Sequence, residues 1–567
     1  MVVKMNERTG LGHRVTVNGD EHLFQRKEAP SYSEVVGALF ARLLRALGGQ
    51  GLGGVGLACV WRGGAQSRGM LRVCGFFLLM LGTLRASDTP NILVFLVDDM
   101  GVMDTSVSFM ADEKGRPERH PLNDFYRTPN MERLAKQGIR FRQFYANSVC
   151  SPSRVSILRG LSSARHRTTQ FIGPDFNNAG EFGPPEWQWE GIAPGVKTLP
   201  AILQEKGYRT IHAGKAHFGP VGSFGELPRN FGFDVNIAGC AYGQPGSYYG
   251  TDHFGYAKKG REKRAVPGLE KYHGEDIHLS EALTLEMNAA IRESVEEGKP
   301  FFAYMSHYAV HTPFQSDDRF AANYEELDLK PNGKAFATLI EGMDKSLGDI
   351  LDQLEGLGVA ENTLVLFLGD NGTDAPWGDA HSVACAAPLR GKKATHYEGG
   401  LRVPFIASWA KRDEENLFQK RLAIPANALS AQVGTVHDVL PTILSVAGAK
   451  PDVLVDGADI SAMLMGKLSR RQAEFLMHFP HKHRSSYFTA YRLGDWKAIY
   501  HYHETGRDRY ELYNLVEDLD ESDNLAQSQP ERLRKMMRVM AKALEDADAQ
   551  YATALDGSGR ELKPEVP

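Results

Sequence analysis

Two stretches of this chain run apolar without a break after a polar start and then stop abruptly on acids: "NILVFLVDDMG", which begins at Asn91, and "NTLVLFLGDNGT", which begins at Asn362. A strand with one face in water alternates apolar and polar residues, so an unbroken apolar run reads as a strand covered on both faces. Two of them require a sheet with helices packed on either side, and ligands of such sheets bind beyond the carboxyl ends of the strands. Those ends carry Asp98 and Asp99 in one case and Asp370 and Asn371 in the other. Where the chain turns, neighbouring side chains can reach one cation, and three carboxylates with one amide oxygen suit Ca²⁺, or Mg²⁺, better than zinc. Each pair alone also reads as a turn or a helix cap. The repetition at two strand ends favours the metal.

Helical patterns lie between the two runs. "TPNMERLAKQGI" opens on Thr-Pro and closes on Gly138, "TLPAILQEKGY" does the same, and "FATLIEGMDKSLGDILDQLEGLG" is long and amphipathic. "KPFFAYMSHYAVHTPF" is a further apolar strand that runs into histidines. Past Gly448 the strands shorten ("EFLMHFP", "SYFTAYRLG", "DWKAIYHYH", "RYELYNL") and a final helix covers "PERLRKMMRVMAKALEDADAQY". The predicted fold is α/β: a large mixed sheet sandwiched by helices, followed by a smaller C-terminal antiparallel sheet with one helix. The larger part is expected over 88–470 and the smaller part over 471–567.

The N-terminal end reads differently. From Met70, "MLRVCGFFLLMLGTLRASDTPN" has an arginine, an apolar run from Val73 to Leu84, and small residues Ala86 and Ser87 at a cleavage point, the layout of a secretory signal peptide over 70–87. The run is short for a bilayer, so export is expected and a stable membrane anchor is not. Residues 1–69 then form a leader or an overcalled upstream start. Within it Gly49, Gly51 and Gly54 match GxGxxG, but no strand precedes them, and a flexible spacer is the better reading. A formal charge of -5 and the lack of a dense Lys/Arg run argue against nucleic acid as a partner. Five cysteines are too few for a disulfide scaffold; Cys240 and Cys385 form either one bridge or two buried thiols.

"CSPSRVSILRG", from Cys150, carries C-x-P-S-R. With "NILVFLVDDMG", "GKAHFG" at 214–219, "HTPF" at 311–314, "GDNGT" at 369–373 and "LRGKKATHYEGGLRVP" at 389–404, it resembles the formylglycine-dependent sulfatases of the alkaline phosphatase superfamily over roughly residues 90–450. The resemblance recurs in "WKAIY" and "ELYNLVEDLDESDNLA", and it extends at family level to arylsulfatase and N-acetylgalactosamine-6-sulfatase types. It implies that a maturation enzyme oxidises Cys150 to formylglycine. One hydroxyl of the hydrated aldehyde would attack sulfur and the other would expel sulfate, which removes the need for a second attack on a stable ester.

The same resemblance implies that Asp98, Asp99, Asp370 and Asn371 hold the cation together with residue 150. Arg154 would steady the hydrate, Lys215 would bind hydrate and sulfate, and His217 would be the base that drives sulfate release. His311 and Lys393 would grip the sulfate oxygens and assist the leaving alcohol. Lys393 is preferred to Lys392 by its offset from "YEGG", and His311 to His307 by its "HTP" context. Outside this context His217 and His311 read as ordinary satisfied histidines, and Arg154 as a helix-surface charge. "HFPHKHR" places His478, His481, His483 and Arg484 where they form either the rim of a pocket for an anionic sugar or a solvated strand end.

The expectation is therefore an exported sulfuric ester hydrolase acting on a sulfated carbohydrate or another sulfate ester. Its rivals are a phosphodiesterase or phosphonate monoester hydrolase of the same superfamily and a non-catalytic binding protein.

Overall fold

The two apolar runs form neighbouring parallel strands, and every residue of both is buried. In chain order the elements that build the site region of the computed structural model are β1 (Asn91–Val97), α1 (Pro129–Gln137), β2 (Ile139–Tyr145), α2 (Cys150–Arg159), α3 (Leu199–Glu205), β3 (Arg209–Gly214), β4 (Val235–Ile237), α4 (Leu279–Glu296), β5 (Phe301–Ser306), α5 (Pro331–Gly356), β6 (Thr363–Gly369), β7 (Phe405–Trp409), β8 (Ala428–Thr435) and α6 (Val439–Val446). The eight strands make one sheet in the order β8-β2-β7-β6-β1-β5-β3-β4. It is mixed because β7 runs antiparallel to both of its neighbours, β6 and β2, while the other pairs are parallel.

Alternate residues of a strand face opposite sides of a sheet, and in β1 both sides are filled. Leu93, Phe95 and Val97 join a core with Met131 of α1, Leu283 and Met287 of α4, and Leu339, Met343 and Leu347 of α5. Ile92, Val94 and Leu96 join a second core with Ile157 and Leu158 of α2, Leu199 and Leu203 of α3, and Leu440 and Ile443 of α6. Helices on both faces are thus the reason that the strands carry no polar positions past their first residues, Asn91 and Thr363.

Four further strands, β9 (Glu474–Phe479), β10 (Phe488–Leu493), β11 (Trp496–His501) and β12 (Tyr510–Asn514), pair antiparallel in sequence order. Helix α7 (Pro530–Asp546) covers one face through Met536, Met537 and Met540, which pack with Leu476, Tyr491 and Tyr500. The opposite face packs Phe475, Met477, Phe479 and Phe488 against Tyr145, Val149 and Ala394. The fold expected from the sequence is the fold observed.

The structure describes residues 3–5, 13–17, 20–24, 89–255, 260, 262–469 and 473–567. They fall in two units, Met1–Thr83 and Leu84–Pro567. The first is described only as three short antiparallel strands, Val3–Met5, His13–Val17 and Asp20–Phe24. The Gly-rich spacer and the signal sequence at 70–87 lie outside the described residues. Among the described residues no helix is long and apolar enough to cross a membrane. Among them, too, Cys240 and Cys385 are free thiols, which overturns the bridge. Each sulfur is committed locally: Cys240 Sγ lies 3.7 Å from Tyr308 Oη, and Cys385 Sγ reaches the carbonyls of Ala375 and Trp377. Only Cys385 is fully buried.

Candidate active site

Val97 stands opposite Gly369 in the register of β1 and β6, so Asp98-Asp99 and Asp370-Asn371 leave the sheet side by side. Asp99 takes a left-handed backbone conformation (φ 60°), and its N–H donates to Asp370 Oδ1 at 3.1 Å, which binds one strand tip to the other. Oxygens of Asp98, Asp99 and Asp370 lie within 4.8 Å of one another, and all three residues are fully buried. Asn371 Nδ2 donates to Asp99 Oδ1 at 2.9 Å, which leaves Asn371 Oδ1 as a buried acceptor without a hydrogen bond; Asp98 Oδ1 is in the same position. A buried polar atom left unpaired is costly. Orphaned oxygens beside clustered carboxylates fit a hard divalent cation.

Electrostatics agree. Burial, then the neighbouring Asp98 charge, raises the Asp370 carboxyl to about 6, and burial raises Asp98 as well. Asp99 feels the same burial, but Lys393, His311 and Lys215 outweigh it and hold its carboxyl well below the usual range. Fixed cations meet these acids: Lys215 Nζ is 2.7 Å from Asp98 Oδ2, Lys393 Nζ is 2.6 Å from Asp99 Oδ1, and Arg154 Nε is 2.8 Å from Asp370 Oδ2. Three buried acids balance three buried cations, so an added dication leaves the site positive and suited to an anionic ester.

Cys150 is the first residue of α2, a helix buried along both sides and closed by Gly160 in the left-handed conformation. A group there sits at the positive end of the helix dipole. Its Sγ lies 3.4 Å from His217 Nδ1, and His217 Nε2 donates to the Ile172 carbonyl at 2.7 Å. That second bond sets the tautomer, leaving Nδ1 as the acceptor that faces residue 150. Burial pushes the Cys150 thiol up, against the pull of Lys215 and Lys393, so an unmodified thiolate is disfavoured here. Arg154, four residues on, points inward: it is fully buried, with Nη1 donating to Ser306 Oγ at 2.7 Å and to the Lys215 carbonyl at 2.8 Å. The helix-surface reading of Arg154 is thereby excluded.

Lys215 and His217 depend on Gly214, at the end of β3. Its φ is +99°, and a Cβ there would stand 1.8 Å from the Ser306 carbonyl oxygen of β5. Only glycine lets the two strand ends approach and turn Lys215 into the site. His311 Nε2 lies 3.6 Å from Asp99 Oδ2, and burial followed by the Lys393 charge lowers His311 to about 4. Its imidazole is neutral in the ligand-free protein. His307 Nε2 instead reaches Ser346 Oγ in the core at 2.9 Å, and Lys392 donates to the Ala375 carbonyl.

A cleft of about 290 Å³ opens over Cys150, His217, His311 and Lys393 and is rimmed by Tyr242, Arg264, Asp374, His483 and Arg484. Of the four residues expected at a rim, His483 and Arg484 line this cleft; Arg484 Nη2 donates to Asp374 Oδ2 at 3.0 Å. His478 and His481 do not. His478 points to the α7 side of the small sheet, where Nδ1 meets Thr489 Oγ1 and Nε2 meets the Gln550 carbonyl; His481 bonds Thr169 Oγ1 and the Ala179 carbonyl. Both are fully buried because the sheet is covered on two faces. Sequence reasoning passed over Ser306, Asp374 and Arg264; Asp374, next after "GDNGT", was the one carrying a positional signal.

A buried acidic cluster that accepts a cation, with a helix-end residue and fixed positive charges around it, belongs to a hydrolase of anionic esters. Comparison with known proteins narrows that class. The sulfatase family model matches residues 90–449. The chain is 31% identical over 437 residues to N-acetylgalactosamine-6-sulfatase of Canis lupus familiaris, covering 74% of this chain and 73% of that protein. It is 28% identical over 507 residues to arylsulfatase G of Rattus norvegicus, covering 81% and 87% respectively. Among solved structures, Ps i-CgsB in complex with k-i-k-neocarrahexaose shares the fold with a TM-score of 0.62 at 23% identity, over 83% of this chain and 97% of that one. The chain belongs to the sulfatase family and is a sulfuric ester hydrolase.

Proposed function

We propose that the protein is an exported sulfatase that removes sulfate from a carbohydrate, with residue 150 as nucleophile after oxidation to formylglycine and with Ca²⁺ or Mg²⁺ held by Asp98, Asp99, Asp370, Asn371 and residue 150. The observation that carries this is the position of residue 150, at the start of α2 and 3.4 Å from His217 Nδ1, with a thiol whose own ionisation burial suppresses. The cation supplies positive charge for an anionic ester, and the aldehyde hydrate supplies two hydroxyls on one carbon.

The chain's own side chains do the rest. His217 Nδ1 accepts the proton of the residue 150 hydroxyl, since Nε2 is engaged with the Ile172 carbonyl. Arg154 fixes Asp370 and the Lys215 carbonyl and so holds the floor of the site. Lys215 and Lys393 turn from their carboxylates toward the sulfate oxygens. Lys393 keeps its proton: burial opposes it, but Asp99 and the other nearby acids raise it above the usual lysine range. His311 faces the leaving oxygen beside Lys393 and takes the general-acid role once the bound ester adds negative charge. His483 and Arg484 line the rim that meets the sugar.

A carbohydrate substrate is supported by the likeness to N-acetylgalactosamine-6-sulfatases at 31% identity. Export rests on the segment from Met70, and the maturation enzyme on the C-x-P-S-R motif. The test is a parallel assay on sulfated N-acetylgalactosamine oligosaccharides, an aryl sulfate, a phosphate monoester and a phosphodiester. The sulfate esters are expected to lead in kcat/KM by at least about 100-fold. A lead for the phosphodiester would give the site to the rival activity.

A further inference from the structure

Among the described residues a second group of side chains has metal-ligand chemistry. His396 follows Lys393 by three residues, His501 ends β11, Glu511 lies in β12, and their ligand atoms fall within 4.8 Å of one another. Glu511 Oε2 accepts hydrogen bonds from Tyr397 Oη at 3.2 Å and from Tyr513 Oη at 2.5 Å. Its other oxygen, Oε1, is left to face two imidazoles, with His501 Nε2 at 2.6 Å and His396 Nε2 at 3.4 Å. Carboxylates that bind a metal through one oxygen are oriented by hydrogen bonds of this kind on the other.

His396 distinguishes this group from an ordinary ion-pair network. Its side chain is only 4% exposed, Nδ1 makes no hydrogen bond, and Nε2 has only its long 3.4 Å contact with Glu511 Oε1. Burial lowers it to about 4, so at neutral pH the ring is uncharged and carries a free lone pair, the form that binds metals. A tilted contact with Tyr397 (centroids 4.1 Å apart) and an edge contact with Phe488 (5.1 Å) hold the ring in place. Two nitrogens and one carboxylate oxygen are a zinc set, in contrast to the all-oxygen set at the strand tips. Bonds of about 2 Å in a tetrahedron put ligand atoms roughly 3.3 Å apart. His396 and Glu511 already stand at 3.4 Å. His501 would draw back from its 2.6 Å hydrogen bond, and its side chain, like that of Glu511, is about one-seventh exposed (15% and 14%), which gives an ion a way in and solvent a fourth position.

We propose that His396, His501 and Glu511 bind one zinc ion, which fastens the loop carrying Lys393 to the small C-terminal sheet. The ion would add to the bonds that already hold the loop, among them the Ala394 N–H to the Ser148 carbonyl at 2.7 Å, the Ser485 N–H to the Ala394 carbonyl at 3.0 Å and Tyr397 Oη to Glu511 Oε2 at 3.2 Å. The ion acts on the loop's position and takes no part in attack on sulfur, so the proposal stands independently of the hydrolytic reading.

The test uses the full chain, stripped with chelator and then held in excess Ca²⁺ to saturate the strand-tip acids. Zn²⁺ is titrated in competition with a chromophoric chelator, and Co²⁺ is used in parallel for the visible absorption of a tetrahedral nitrogen-oxygen site. One equivalent of zinc is expected, with a rise in Tm, and at least tenfold weaker binding in both H501Q and E511Q. Should E511Q fail to fold, H501Q, at the partly exposed strand end, carries the comparison. D370N, altered only at the strand-tip acids, is expected to keep the zinc equivalent. No zinc bound by the wild type, affinity unchanged in H501Q, or an equivalent lost in D370N instead would each overturn the proposal.

Discussion

Cys150 Sγ and His217 Nδ1 stand 3.4 Å apart, and the far nitrogen of the same imidazole donates to the Ile172 carbonyl. The ring is thereby held with its accepting nitrogen toward residue 150. Replacement of His217 by alanine removes that acceptor but leaves the carboxylates and cations in place. Expected is a fall in kcat of about 10²- to 10⁴-fold with a much smaller change in KM, measured on an aryl sulfate beside a melting curve that shows the variant folded.

The acid limb of the rate profile follows from the same ring. Burial, then the Lys215 charge, holds His217 well below the ordinary histidine value of 6.5. Protonation of Nδ1 abolishes its acceptor role, so kcat/KM falls only as the pH drops through that lowered value. The profile should stay level from pH 6.5 into mild acid as far as this group is concerned. A limb centred at 6.5 or above would contradict the tautomer assigned to His217.

Arg154 is the floor of the site. Its removal in Arg154→Ala leaves the Asp370 carboxylate buried without its cation and takes the second, more distant cation from Asp98, which keeps Lys215. Breaking a buried pair on one side costs about 3–5 kcal/mol, to be read from denaturant unfolding. Arg154→Lys keeps the charge but cannot reach Asp370, Ser306 Oγ and the Lys215 carbonyl together. It should recover part of the stability and little of the activity.

Chelation tests the strand-tip acids. With three carboxylates in one buried cluster, removal of the cation should abolish turnover and lower Tm, and added Ca²⁺ or Mg²⁺ should restore both. At a hundredfold excess over Kd the ion contributes about 2.7 kcal/mol of stability by mass action. Full activity after exhaustive chelation would remove the metal from the account.

Much of this was legible in the chain. Past their opening residues the runs from Asn91 and Asn362 have no polar positions because two helical layers cover the sheet, and their register brings the acids at 98–99 and 370–371 together. The order of motifs did the same for Cys150, Lys215, His217, His311 and Lys393. What remained hidden is tertiary. "HFPHKHR" alternates like an exposed strand end, yet α7 and the catalytic part close over both faces of the small sheet and bury His478 and His481. Ser306 looks like a strand residue in sequence; only the approach of β3 to β5 makes its hydroxyl a support for Arg154. Nothing in the spacing of Cys240 and Cys385 told whether they meet.

His478 offers a stability test with a defined sign. Burial lowers it to about 4, whereas in the unfolded chain it titrates near 6.5. Between those values the unfolded state binds the extra proton, so the wild type loses stability as pH falls, by up to about 1.4 kcal/mol per pH unit from this residue. His478→Gln carries no such term. The variant should be less stable than the wild type at pH 7, and the gap should narrow from pH 6.5 toward 4, as followed by Tm against pH.

The chemistry turns on what residue 150 becomes. The direct measurement is a mass spectrum of the tryptic peptide "QFYANSVCSPSR", residues 143–154, from protein made in a host with the maturation enzyme. The account predicts a peptide lighter by the difference between a CH₂SH and a CHO side chain, in a preparation whose sulfatase activity scales with the fraction converted. An unmodified thiol in fully active protein would contradict it.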